Sequence, residues 1–301
     1  MAAAKNKRLM LKMLSLFSVV RGYNILVLVI AQYLTSAFIL APELPLRDII
    51  FDDYLFFLIL SSATVIASGY IINNFYDSEK DLINRPRKTM LDRFISQRTK
   101  LSVYFILNFA AIFFASYVSF RAVVFFSIYI FMIWVYSYRI KRILFLGNLV
   151  ASILAIIPFF VVFIYYKNFE TVIFIHATFL YLMIVMRELV KDLENLKGDL
   201  ILNYKTIPVV YGENWSKFFL SILTVIAIIP ILLLTTRFDI GLMDYYFYLS
   251  LLLLVFFVLF LYFSTAKWQY LLLHNILKFI IVAGVFSILL IEPSEVINRV
   301  F

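Results

Sequence analysis

Oxygen-bearing side chains recur every four residues at Asn73, Asp77 and Asp81. On a continuous helix this spacing lines them along one face, each rotated about 40° from the last. Two carboxylates about 6 Å apart repel by about 2 to 3 kcal/mol at an effective dielectric near 20, which favours a cation between them or a protonated member. The chain has no cysteine. Oxygen ligands without thiolate point to Mg2+, which takes one or two carboxylates and completes its shell with water and substrate phosphate. For one such pair alone the ordinary reading is a helix end carrying solvated acids, paired with Lys80 or Arg85. A second cluster weighs against that reading: Arg187, Glu188, Lys191, Asp192, Glu194 and Asp199 lie close together in sequence. With Arg87, Lys88, Lys141 and Lys205, the two clusters have the composition of a site for a highly anionic group, in which acids hold Mg2+ and bases hold phosphate oxygens.

The elements that must position these residues are membrane helices. Of 301 residues, 64% are hydrophobic and 15% charged, against about 45–50% and 25% in soluble domains. The mean hydropathy is +0.98. With Gly and Pro at 7 each and no cysteine, collagen-like, disordered and disulfide-scaffold classes are excluded. The basic start, MAAAKNKRLMLK, resembles a signal peptide, but the apolar run beyond it lacks a small-residue cleavage site and reads as a retained first helix. Apolar windows fall near residues 14–40, 54–76, 101–120, 122–138, 144–166, 171–186, 217–236, 244–264 and 269–291. The expected fold is therefore all-α, a polytopic membrane protein with about nine transmembrane helices in one bundle forming a single domain over residues 1–301.

With the N-terminus inside, 20 of the 27 Lys and Arg residues fall on the inner side and 5 on the outer, as the positive-inside rule requires. The net charge of +9 then sets orientation, and no nucleic-acid partner is expected. Both acidic clusters fall at the cytoplasmic ends of their spans, in inner loops expected at about 77–100 and 187–216.

At these positions the sequence resembles the UbiA family of intramembrane prenyltransferases. Asn73, Asp77 and Asp81 followed by Asn84-Arg85-Pro86 look like its first aspartate motif; Arg187-Glu188 through Lys191-Asp192 and Gly198-Asp199 to Lys205-Thr206-Ile207-Pro208 resemble its second. Arg21, Asn24, Tyr136-Ser137-Tyr138, Lys141 and Gly147-Asn148 are supporting matches. Two departures stand out: Asn195 where many members have Asp, and Asn203 where Gly is frequent.

The resemblance implies transfer of a polyprenyl group from its allylic diphosphate to an acceptor within the bilayer, with Mg2+ as cofactor and release of diphosphate. The acceptor is either lipid-like, of the geranylgeranylglycerol phosphate type, or an aromatic quinone precursor. By this reading Asn73, Asp77 and Asp81 bind Mg2+ at the diphosphate, and Asp192 and Asp199 bind a second ion. Lys141, Arg87, Lys205 and Arg21 contact phosphate oxygens, and Tyr138 orients substrate. Asp77, Asp81, Asp192, Asp199 and Lys141 form the catalytic set. The expected location is a bacterial or archaeal cell membrane with the site cytoplasmic and no obligate protein partner. Two other classes compete: a transporter with a charged cytoplasmic-side site, and a CDP-alcohol phosphotransferase-like enzyme. The second needs an Asp-Gly-x-x-Ala-Arg stretch, which the sequence lacks.

Overall fold

The computed structural model describes residues 2–291, with side chains described from Met10 onward. In chain order the helices are α1 (Ala2–Val20), α2 (Gly22–Thr35), α3 (Leu46–Ile50), α4 (Asp53–Tyr76), α5 (Ser78–Asn84), α6 (Pro86–Asp92), α7 (Gln97–Val118), α8 (Phe120–Tyr138), α9 (Leu146–Tyr166), α10 (Thr171–Glu194), α11 (Leu196–Ile201), α12 (Ile207–Arg237), α13 (Asp244–Phe263) and α14 (Lys267–Ser287). No strand occurs among the described residues. Nine helical segments among them are long and apolar enough to cross a membrane. Their outward faces carry rings such as Phe109, Phe120 and Phe263, each more than three-quarters exposed; in lipid such faces incur no hydrophobic cost.

Several boundaries differ from the apolar windows. The first window is broken at Arg21, whose φ of 52° ends α1 before α2 begins. The third and fourth spans separate at Ser119, not at Arg121: Ser119 is extended and its hydroxyl caps α8 by accepting from the Ala122 N–H at 3.1 Å. The inner segments expected as loops are largely helical, forming α5 and α6 after α4, and α11 after a tenth helix that runs on to Glu194. Short amphipathic helices have too few apolar residues for a hydropathy window to find. The seventh span begins at Ile207 rather than 217, with a break at Gly212 (φ 86°). Lys217, one of the 20 basic residues counted on the inner side, is buried within α12 and donates from Nζ to the Ser264 carbonyl at 2.7 Å.

The chain divides into two compact units. The first runs to Val29 and from Asp53 to Ile140; the second comprises Ile30–Asp52 and everything from Lys141 onward. In the first, α4 and α7 approach closely because Ala111 and Ala115 present no bulk and are fully buried. The Ser61 hydroxyl there donates to Phe57 O at 2.8 Å and lies 3.2 Å from Ala111 O. Small residues and hydroxyls at the contact are what hold helices together where lipid removes the hydrophobic drive. The second unit is built around α10, whose Met183, Met186, Leu189 and Val190 pack with Leu220, Ala227, Leu254, Phe257, Leu273 and Leu277.

Candidate metal and diphosphate site

The first acidic motif straddles the junction of α4 and α5. Asp77 sits at the junction (φ −92°, ψ 6°), yet the helical path continues through it. The Asp77 N–H donates to Asn73 O at 2.9 Å, Asp81 N–H to Asp77 O at 2.8 Å and Arg85 N–H to Asp81 O at 2.7 Å. This unbroken i, i+4 ladder stacks Asn73, Asp77 and Asp81 on one face. All three side chains are partly exposed. Burial pushes the Asp81 carboxyl above its ordinary range, and the Asp77 charge pushes it the same way, while Lys88, Arg85 and Arg21 pull it down. Arg85 leaves the helix (φ −140°, ψ 60°), as a residue preceding proline tends to, and Pro86 starts α6.

Behind the ladder lies a buried polar network that no sequence motif marks. Asp92, 2% exposed, accepts from the Ser18 hydroxyl at 3.0 Å and from Asn74 Nδ2 at 3.2 Å. The ammonium of buried Lys100 donates to Asn74 Oδ1 at 2.8 Å. Lys88, 3.7 Å from Asp92 on the next turn of α6, completes it. Arg21 lies with its guanidinium 5.1 Å from the Tyr70 ring centroid, and Asn24 donates to the Tyr70 hydroxyl at 3.1 Å. Arg87 is exposed on α6. Tyr138 is exposed at the end of α8, stacked on Trp134 at 5.8 Å and 5.7 Å from Tyr76.

The second motif is built differently. Asp192, in the last turn of α10, accepts from Asn148 Nδ2 at 2.8 Å, so Asn148, in sequence only a supporting match, fixes this carboxylate. Asp199, on α11, is fully buried, with the Thr206 hydroxyl 3.5 Å from its Oδ2. Its carbonyl accepts the Tyr204 N–H at 2.9 Å, and the Lys205 N–H donates to Arg142 O at 3.2 Å. The Arg142 guanidinium sits 5.0 Å from the Tyr204 ring. These bonds tie residues 141–142 to 199–206. Gly147 belongs to the same fit, since a Cβ there would stand 3.0 Å from the Lys141 carbonyl oxygen. Lys205 is exposed and Lys141 partly so.

The two departures also find their places. Asn195 is buried at the junction of α10 and α11, its carbonyl accepting from the Gly198 and Asp199 N–H groups at 3.0 and 3.2 Å. Asn203 has φ 55°, a conformation that glycine adopts freely and asparagine tolerates best among the rest. Arg187 and Lys191, grouped above with the phosphate-holding bases, are ion-paired to Glu188 at 3.3 and 2.7 Å.

The residue types fit Mg2+. Among the described residues no three His, Asp or Glu side chains converge into a closed cage. Each motif instead offers two carboxylates, which is the protein share of a shell that substrate oxygens and water complete. The mutual repulsion of Asp77 and Asp81 is the kind of electrostatic load a divalent cation relieves.

A sequence profile described as the UbiA prenyltransferase family matches residues 17–290. Digeranylgeranylglyceryl phosphate synthase from Methanobrevibacter smithii is 28% identical over 252 residues, covering 79% of this chain and 83% of that protein. Two solved structures share the fold. One, giving insight into digeranylgeranylglyceryl phosphate synthase in membranes, has a TM-score of 0.70 at 20% identity over 94% of this chain and 99% of that one. The other, a UbiA homolog from Archaeoglobus fulgidus bound to GPP and Mg2+, has a TM-score of 0.62 at 14% identity over 91% and 99%.

Proposed function

This chain belongs to the UbiA prenyltransferase family and is a multi-pass membrane prenyltransferase, and we propose that it transfers a polyprenyl group to a geranylgeranylglycerol phosphate-like lipid with the help of Mg2+. The observation that carries the proposal is the i, i+4 ladder through Asn73, Asp77 and Asp81. Relatives named digeranylgeranylglyceryl phosphate synthase favour the lipid acceptor over the aromatic one. The Mg2+ and GPP bound to the Archaeoglobus fulgidus homolog support the cofactor and the donor class. Family membership leaves no place for the transporter or the CDP-alcohol phosphotransferase reading.

In this proposal Asn73, Asp77 and Asp81 bind Mg2+ at the donor diphosphate, and Asp192 and Asp199 bind a second ion. The metal supplies charge neutralisation for a departing diphosphate. Lys141, Lys205, Arg87 and Arg21 add charge-assisted hydrogen bonds to its oxygens, and Tyr138 orients the substrate. The allylic C1–O bond breaks with its electron pair leaving on the diphosphate. The electron-poor C1 is then attacked by the acceptor hydroxyl oxygen, which loses its proton as the new C–O bond forms. Groups aimed at the leaving oxygens lower this barrier because their effect grows as charge develops there. Apolar walls keep out water, which would otherwise take the acceptor's place. The site faces the cytoplasm of the cell membrane, with the N-terminus on that side, and the whole chain acts as one catalytic domain.

The test uses purified protein in lipid with labelled geranylgeranyl diphosphate. Adding geranylgeranylglycerol phosphate should give the ether-linked product and release diphosphate in Mg2+, and neither in EDTA. Product formed only with an aromatic acceptor would replace the acceptor assignment, and metal-independent turnover would overturn the site.

A further inference from the structure

Helix α1 stops at Arg21, where the backbone turns left-handed (φ 52°), and α2 starts afresh. The apolar stretch Gly22–Leu40 has 19 residues, about 28 Å of helix, which is close to the whole hydrocarbon thickness of a bilayer. That leaves α1 outside the hydrocarbon. Its level is set by the Ser18 hydroxyl, which donates to Asp92 of α6 at 3.0 Å. Helix α6 follows the end of α4 and the first acidic motif, so α1 lies at the membrane surface on the side of that motif.

The rotation of α1 about its own axis is fixed as well. Ser15 and Val19 are buried and Ser18 is bonded to Asp92, so that face belongs to the protein. Met10, Met13, Leu14 and Phe17 fall within an arc of about 100° on the far side, and all four are exposed. Gly22 keeps the elbow tight, because a Cβ there would run into the Phe17 ring. Lys12 is exposed about 140° round the helix from Phe17. With Lys5, Lys7 and Arg8 it makes four of the first twelve residues basic, and no acid precedes Glu43. An apolar row beside a basic segment, held at a membrane surface, has the chemistry of a helix lying in the interface. Charge decides between leaflets. A zwitterionic leaflet offers the row hydrocarbon but gives the bases no partner, whereas an anionic one gives both.

We infer that α1 is an interfacial helix that binds an anionic lipid surface, with Met10, Met13, Leu14 and Phe17 inserted below the headgroups and the basic start held by the headgroup charge. Its last turn is tied to the protein through Ser18 and Asp92, and Asp92 also accepts from Asn74 at the end of α4. A lipid-bound α1 therefore braces the end of the helix that carries Asn73.

The chain has no cysteine, so a nitroxide on Met13→Cys reports on this helix alone in the full-length protein. The labelled protein is placed in vesicles of phosphatidylcholine, or of equal parts phosphatidylcholine and phosphatidylglycerol. In the mixed vesicles the label should collide with oxygen, which concentrates in lipid, far more often than with a water-soluble nickel chelate. Each base near an anionic surface strengthens attraction about fivefold, so the ratio of immobilised to mobile label should be about tenfold or more higher in the mixed vesicles. Replacing Lys5, Lys7, Arg8 and Lys12 together by Gln should abolish that difference. If Met13→Cys does not fold, Met10→Cys on the same face should give the same readings. A label open to the nickel chelate in mixed vesicles, an equal ratio in the two vesicle types, or a difference that survives loss of the four bases would each overturn the inference. None of these readings depends on turnover, so their failure would leave the prenyl-transfer reading intact.

Discussion

The two acidic motifs hold their carboxylates in contrasting ways. In the first unit, Asp77 and Asp81 are partly exposed on one helical face, and the repulsion between them adds to the burial that raises Asp81. In the second, Asp192 is fixed by Asn148 at 2.8 Å, and Asp199 is fully buried beside Thr206. The first motif is electrostatically loaded and so gains most from a cation; the second is preorganised by its own hydrogen bonds. Preorganised groups act without rearranging, at the cost that their removal also disturbs the fold.

The largest expected effect follows from that contrast. Asp77→Ala should lower Mg2+-dependent turnover by about 100-fold or more, the scale for a group acting directly on developing charge. Its melting temperature should stay level or rise, because a repulsion is removed. Asp199→Ala should also lose turnover but melt earlier, losing about 1 to 3 kcal/mol, since it empties a buried polar site and strands the Thr206 hydroxyl. Thermal melts alongside diphosphate release check both; equal destabilisation by the two would erase the distinction drawn here.

Next in size is Asn148→Ala. Removing the partner that orients a metal-binding carboxylate weakens metal affinity by about 10- to 100-fold. The activating Mg2+ concentration should rise accordingly while turnover at saturating Mg2+ recovers most of its value. A loss that Mg2+ does not restore would make Asn148 a reacting group instead.

A smaller effect concerns pH. With its pKa raised, Asp81 takes up a proton at higher pH than a free aspartate. Without metal, its neutral form is the one the fold favours, so this stability contribution is complete below the ordinary aspartate pKa and is lost as pH rises through the raised value. Mg2+ binds the ionised form, so the half-activating Mg2+ concentration should climb on acidification, beginning above the ordinary carboxylate range. Asp81→Asn should flatten that climb; an unchanged slope would assign it to another group.

The smallest change is expected at Asn203→Gly. At φ 55° glycine is at no steric disadvantage, so stability should shift by less than about 1 kcal/mol. Asn203→Val should be clearly worse, because a β-branched side chain is strained in that region.

What the sequence revealed follows from what its patterns encode. Period-four oxygen-bearing side chains at Asn73, Asp77 and Asp81 survive as a stacked face because the backbone ladder is continuous. Long apolar runs find spans because each must cross a fixed thickness of hydrocarbon. Hidden features were those set by tertiary partners. The break at Arg21 depends on a left-handed backbone at a residue that rarely adopts it. Lys217 counts as an inner-side charge by sequence, yet it is buried and donates to the Ser264 carbonyl. The Asp92, Asn74 and Lys100 network joins residues from separate helices, and no spacing rule connects them. Composition likewise does not reveal that Arg187 and Lys191 both pair with Glu188.

The central proposal is that both motifs act on one diphosphate. A double-mutant cycle measures this directly, using kcat/KM for Mg2+-dependent diphosphate release by Asp77→Ala, Asp192→Ala and the double variant. Groups serving the same leaving group act as a unit, so the double variant should lose little more than the worse single variant. Losses that multiply in full would mean that the motifs work independently, contradicting the account.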